Sequence, residues 1–596
     1  MNENICARLA DLRVQMEKAD ISAVIVPQGD PHMSEYLSSH WQARRMLSGF
    51  TGSAGDLVVT ASKALLWTDS RYFLQASTQL SGSGIELMKD GVPGTPSISD
   101  WLCDNLLAGE RVGINGMVFS TGAKEDMEMR LNAHGIVLDA EFDPMDEIWP
   151  DRPGLPKGKV FVHDIAYAGR SAKDKIAAVL ENVRGQMARS TFISALDEIA
   201  WMLNIRSNDV KYNPVVTAFL YVSPEGSTLF VDPDKVDAGV SAYLAGEGVA
   251  TAPYDSVADF LRALPDDARV LIDASRTCAG ITDILGGRAV RGVSPAAMDK
   301  ACKNDIQLAG VRAAMQRDGV AMVRSLCEIQ ARVKAGEDFT EMDVADVLRK
   351  YRSQSPLFFD ESFGTIAGYE GHGAIVHYEA DEASNARVEP HGLLLVDSGA
   401  QYLDGTTDIT RTIAMGEPTA EEKRDFTLVM KGHIALGSMV FPQGTCGTQL
   451  DAVARQYLWK EGLSYLHGTG HGVGHFLNVH EGPQSIRLNY VPAPLTPGMI
   501  TSNEPGLYRE GVHGIRCENL VLTVNAMETE FGRFYKFETL TLCPFDVSLF
   551  DTSLMSNQEI EWINEYHARV REALAPDLAG RDLEWLNANT SPLPLH

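Results

Sequence analysis

The residues around Gly511 read as a β-hairpin, and its register constrains this chain more than any other feature. With the turn centred on Gly511, Glu504 (in Thr501-Ser-Asn-Glu-Pro-Gly) falls directly opposite Glu518 (in Gly514-Ile-Arg-Cys-Glu-Asn-Leu-Val-Leu). Directly opposed residues share one face of a sheet, with Cβ atoms roughly 5 Å apart. Leu520 and Leu522 continue the Glu518 face as apolar residues, so that face is expected to be buried. Two carboxylates so placed destabilise a sheet unless something positive lies between them. A solvated surface pair fits this pattern poorly.

Three more segments carry the same demand. Leu393-Leu-Leu-Val-Asp397 is an apolar strand ending in a carboxylate, which is costly to bury without a cation or donors. Thr406-Thr-Asp408-Ile-Thr-Arg-Thr reads as the returning strand, with Asp408, Thr410 and Thr412 on one face. A tight Asp404-Gly405 turn would set Asp397 opposite Thr412, so a metal shared by Asp397 and Asp408 requires a looser or bulged turn. Taken singly, each Asp reads as a cap or turn residue. The third segment runs from His467 to His480 and holds His467, His471, His475 and His480 among four glycines, in a chain with fifteen histidines. A lone histidine is usually a satisfied polar residue; this density reverses that reading. Four carboxylates with an imidazole form a hard, oxygen-rich donor set, which favours Mn²⁺ or a similar first-row ion over a structural zinc. Four carboxylates exceed the needs of one ion, so a two-metal site about 3.5–4 Å across is expected, with a bridging hydroxide as the nucleophile.

The rest of the chain bounds the setting. Its 596 residues allow three to four domains. With 52 Lys+Arg against 80 Asp+Glu the net charge is −28, which disfavours nucleic acid and weakly attracts cationic ligands such as peptide amino termini. No apolar run approaches the roughly 20 residues that span a bilayer. The eight cysteines are dispersed, without a CxxC pair, and read as reduced thiols in a cytoplasmic protein. Residues 1–20 read as an amphipathic helix bearing Leu9, Leu12, Val14 and Met16, not as a signal peptide. The expected domains are an α/β unit at 1–155, a second at 156–303 beyond the Pro/Gly-rich stretch 149–158, and a third at 304–596. Residues 57–69 and 218–232 share a strand–turn–strand plan ending in Asp, which suggests a duplicated α/β domain or a chance likeness of two hairpins. Ser556 and Glu559 form a capping box for a helix whose apolar face (Ile560, Ile563, Tyr566, Val570, Leu574) is expected to pack on its own domain.

In order and local context, Asp397, Asp408, His471, Glu504 and Glu518 match the five metal ligands of the pita-bread metallopeptidases, a superfamily that includes prolidase, creatinase and aminopeptidase P. The chain most resembles the long, three-domain form of aminopeptidase P, through Ser34-Glu-Tyr-Leu, Ser48-Gly-Phe-Thr-Gly-Ser-Ala-Gly, Trp67-Thr-Asp-Ser-Arg-Tyr-Phe-Leu-Gln, Leu196-Asp-Glu-Ile-Ala-Trp-Met-Leu-Asn and Trp562-Ile-Asn-Glu-Tyr-His. That resemblance implies an α/β (α+β) fold with two similar creatinase-N-terminal-like domains and a C-terminal pita-bread domain. It implies release of the residue preceding a penultimate proline, two divalent ions (Mn²⁺, with Zn²⁺ or Co²⁺ as alternatives), a homodimer, and neither nucleic-acid nor membrane partners. It also implies roles: Asp397 on one ion, His471 on the other with Glu504, Asp408 and Glu518 bridging, and Glu504 as proton shuttle. By the same resemblance His377 binds the substrate, His480 meets the scissile carbonyl, His467 is a third active-site histidine, and Arg516 orients the ligand shell. His475 and His513 depart from the pattern; each is open as surface variation, an altered substrate contact, or an adventitious zinc ligand. His433, read at a helix start, and His391, in a turn, are expected to be structural. A prolidase-like dipeptidase is the rival activity, and a metal-free binding scaffold the rival class.

Overall fold

The computed structural model describes residues 2–596 and groups them into two compact units, one running to Ile165 and continuing over Arg170–Ala296, the other made of Ala166–Gly169 and Ala297–His596.

The first unit contains one plan twice. Its first sheet has the order Glu86–Lys89, Ala64–Thr68, Asp56–Thr60, Ala23–Val26, Arg111–Gly113, Val137–Asp139. Its second has the order Val249–Ala252, Gly226–Val231, Ala218–Ser223, Ser190–Ile193, Val270–Asp273, Ala289–Gly292. The pairings run parallel, antiparallel, antiparallel, parallel, parallel in both sheets. The hairpins suspected from the sequence occupy the same place in each, so the likeness is one of topology. The central strand Ala23–Val26 is buried at every position, as expected where helices cover both faces of a sheet. Helix Asn2–Lys18 buries Leu9, Leu12 and Met16, but Val14 is 48% exposed, because two residues past Leu12 lies across the helix from the i, i+3, i+4 stripe.

In the second unit the short helix Ala297–Ala301 precedes the long helix Asp305–Lys334, which opens with a capping box between Asn304 and Gln307. A three-stranded sheet (Ile366–Tyr369, Leu393–Ser398, Ile409–Ala414) and a six-stranded one (Val440–Pro442, Gly532–Thr539, Asn519–Thr529, Ile500–Asn503, Gly470–Gly472, Glu481–Ile486) carry the residues of interest. Helices Ala420–Gly437 and Asn557–Leu574 share a core with Leu393, Ile515 and Cys517, so apolar burial fixes the strands from behind. The capping box at Ser556 and the burial of Ile560, Ile563, Tyr566, Val570 and Leu574 follow the sequence reading. All eight cysteines are free thiols. Among the described residues no helix is long and apolar enough to cross a membrane.

Candidate metal centre

The hairpin register read from Gly511 holds on both sides of the carboxylates. Ile500 faces Leu522 and Asn503 faces Asn519, while beyond them Gly506 faces Arg516 and Arg509 faces His513. Glu504 therefore stands opposite Glu518, with the Cys517 N–H donating to Pro505 O at 3.2 Å beside them. The register of the two aspartates differs from expectation. Asp397 pairs with Thr410, not Thr412, because the chain reverses at Leu403-Asp404, one residue earlier than read; Tyr402 faces Gly405 in the same frame. Arg317 grips the Asp404 carboxylate through two 3.0 Å bonds, and a Cβ on Gly405 would stand 3.1 Å from Ala314 Cβ, so Gly405 belongs to the strand. The turn is thus neither loosened nor bulged. Opposed residues share a face, and Asp408 lies two positions from Thr410, so both aspartates point to one side.

His471 reaches that side from Gly470–Gly472. Its Nε2 lies 3.4 Å from Asp408 Oδ2 and 3.4 Å from Glu504 Oε1. Its Nδ1–H donates to Gly472 O at 2.9 Å and its backbone N–H to Ser502 Oγ, leaving Nε2 toward the carboxylates. A Cβ at Gly470 would sit 2.0 Å from Ser502 O, so only glycine lets the strands close here. Ligand atoms of Asp408, His471 and Glu518 fall within 4.8 Å of one another. Arg516 Nη2 donates to Asp397 Oδ2 at 2.6 Å, and Thr410 Oγ1 donates to Glu518 Oε2 at 2.7 Å. The second oxygens, Asp397 Oδ1 and Glu518 Oε1, are buried without a hydrogen-bond partner. Orphaned buried carboxylate oxygens facing other carboxylates suit divalent cations and little else.

The electrostatics agree. Burial raises the Glu518 pKa well above the carboxylate range, and Asp408, Glu504 and Asp397 raise it further. Burial also lifts Asp397, opposed by Arg516. Glu504 is pushed up to about 6, chiefly by burial, with His471 pulling the other way. Burial lowers His471, but Asp408 and Glu504 outweigh it and carry the imidazole to about 9. Without other cations, protons take the place that metal would fill. Metal ligands must be deprotonated, so apparent metal affinity should rise as pH increases from about 6 toward 9, with proton release on binding. Calorimetric metal titrations in buffers of different ionisation enthalpy read this directly; an affinity flat across that range would contradict the ligand set.

The other histidines sort by surroundings. His480 stacks edge-on against His471, ring centroids 4.4 Å apart. His467 Nε2 accepts from Tyr508 OH at 2.8 Å, and Arg516 Nη1 donates to the same hydroxyl, linking His467 to Asp397. His377 is half-buried in the turn after the short helix Glu370–Ala374. Surface variation is excluded for the two departures: His475 is 2% exposed, and buried His513 bonds Asp425 Oδ2 at 3.0 Å beside Arg509. His433 lies deep in helix Ala420–Gly437, not at its start; Nδ1–H donates to Cys517 O while Nε2 accepts from Asn519. Burial and two hydrogen bonds suit a structural role for His433; His391 is exposed and contacts Tyr369 and Glu370. Two contributors were not singled out from the sequence: Ser502, which donates to Glu504 Oε1 at 3.0 Å, and Tyr508. Strand alternation from Glu504 could have found both, as it placed Thr410 on the face of Asp408.

Four carboxylates and a histidine brought together from two neighbouring sheets and the segments beside their strands, after a duplicated α/β unit, are the site of a metallopeptidase. Residues 309–525 match the model of metallopeptidase family M24, and 533–593 that of the C-terminal region of peptidase M24. Residues 8–148 and 151–307 each match a creatinase/prolidase N-terminal domain. Aminopeptidase P2 of Arabidopsis thaliana is 43% identical over 96% of this chain and 86% of its own length. The crystal structure of an X-prolyl aminopeptidase from Caenorhabditis elegans, described as a cytosolic enzyme with a di-nuclear active site, superposes with a TM-score of 0.96 at 34% identity, covering 99% of this chain and 100% of that one. The chain belongs to the aminopeptidase P family, with creatinase-type N-terminal domains and an M24 pita-bread domain.

Proposed function

We propose that the protein releases the N-terminal residue from peptides whose second residue is proline, using two divalent ions held by Asp397, Asp408, His471, Glu504 and Glu518. The observation that carries this reading is the buried face on which all five groups converge, within a chain alignable almost end to end with aminopeptidase P2. When bound, such ions bring water into the nucleophilic range at neutral pH and polarise a carbonyl. The chain's own residues do the rest. Glu504, held by Ser502, accepts a proton from the attacking water and delivers it to the departing proline nitrogen as the C–O bond forms and the C–N bond breaks. His480, packed on His471, is placed to donate to the carbonyl oxygen as it gains charge. Arg516 fixes Asp397 and, through Tyr508, His467; His377 completes the substrate contacts.

The oxygen-rich donors favour Mn²⁺ over Zn²⁺ or Co²⁺. Free thiols and a cytosolic structural neighbour support a cytoplasmic location. We also infer a homodimer, no nucleic-acid or membrane partner, and domains at 1–155, 156–303 and 304–596, the last supported by the spans of the matching family models. A complete ligand set argues against a metal-free scaffold. The prolidase alternative is tested by a length series, Xaa-Pro, Xaa-Pro-Xaa and longer. Cleavage is expected from the tripeptide upward; hydrolysis confined to dipeptides would select prolidase.

A further inference from the structure

Glu481 follows His480 and pairs in the sheet with Gly472, the neighbour of His471. Its carboxylate receives two ammonium groups, Lys300 Nζ at 2.6 Å on Oε2 and Lys303 Nζ at 2.5 Å on Oε1. All three side chains are no more than 2% exposed. Lys300 lies on the short helix Ala297–Ala301, and the Lys303 backbone N–H donates to Gly498 O at 2.9 Å, just ahead of the strand that leads to Glu504. Removing an ion from water costs several kcal/mol even after relaxation, and here three ionisable groups are buried together. Apolar side chains would fill the same space at lower cost, so stability alone does not account for the cluster. Its effect is geometric. Four residues before Glu481, Gln401 Nε2 donates to Leu477 O at 2.6 Å, with Thr406 Oγ1 bonded to Gln401 Oε1. The chain that carries His480 is thereby pinned at both ends.

We propose that Glu481, clamped by Lys300 and Lys303, is a positioning residue for His480, so that the segment entering the metal-bearing unit sets the distance between His480 and the scissile carbonyl. This rests on the reading of His480 given above. A displacement of about 1 Å at such a contact lowers the rate by as much as ~10²-fold. The test is steady-state kinetics on an Xaa-Pro-Xaa tripeptide with Mn²⁺, alongside metal stoichiometry for each variant. Glu481→Gln should lower kcat about 10- to 100-fold with KM and metal content near wild type. In a His480→Ala background Glu481→Gln should add nothing, since both act through one contact. Lys303→Met, which leaves the carboxylate one partner, should reproduce part of the kcat loss and carries the test should Glu481→Gln fail to fold. Unchanged kcat in Glu481→Gln while His480→Ala is impaired would overturn the positioning role, as would metal loss parallel to the rate. Unchanged kcat in His480→Ala would instead remove the reading of His480 itself.

Discussion

Glu504→Gln is expected to lower kcat by about 10²- to 10⁴-fold, the range a general acid–base group supplies, with a much smaller change in KM. Glutamine keeps the shape of the side chain and one oxygen donor but cannot carry a proton. In the metal-free site burial pushes Glu504 up to about 6, with His471 pulling it down and Asp408 adding to the rise. The Ser502 hydroxyl at 3.0 Å and His471 Nε2 at 3.4 Å both lie against its Oε1. Metal content measured beside kcat separates the two parts proposed for Glu504: a rate loss with ions retained marks the proton shuttle. A kcat within about ten-fold of wild type would remove Glu504 from that role.

Arg411→Ala should cost about 3–5 kcal/mol of stability, placing it among the largest single-residue effects in the chain. Arg411 is fully buried, three residues past Asp408 on the opposite face of its strand. Its guanidinium donates to Thr410 O, Glu518 O, Cys543 O and Pro544 O, to Asn519 Oδ1 and to Tyr566 OH, and lies 3.9 Å over the Phe545 ring. One side chain thus ties the Asp408 strand, the Glu518 strand and the C-terminal helix together. Alanine leaves several buried carbonyls without donors, each costing roughly 1–3 kcal/mol before relaxation. Urea denaturation gives the value; a loss below about 1 kcal/mol would show that the carbonyls find other donors.

What the sequence disclosed follows the range of the interactions involved. The Glu504–Glu518 pairing was legible because one glycine centres the hairpin and the strand period of two does the rest. The Asp397 register differs by one turn residue because its determinants, Arg317 on Asp404 (87 positions away in the chain) and the helix surface against Gly405, are not local. His513 and His475 stayed open among three readings for the same reason: the burial of a histidine depends on what packs over it, and the Asp425 that receives His513 lies on helix Ala420–Gly437. The duplicated α/β unit showed only as one repeated hairpin, since matching sheet order leaves no local signature. Arg411 left no trace in the alternation, which marks one face of its strand as polar and says nothing of a cation facing the core.

The claim on which the rest depends is that these five side chains hold the ions that make this chain a peptidase. Exhaustive chelation followed by assay on an Xaa-Pro-Xaa tripeptide addresses it directly. Activity should vanish with the metal and return on titration with Mn²⁺, saturating at two ions per chain in the wild type. Asp408→Asn should bind less metal and remain inactive through the same titration. Cleavage that survives full chelation, or an Asp408→Asn enzyme as active as the wild type, would contradict the account.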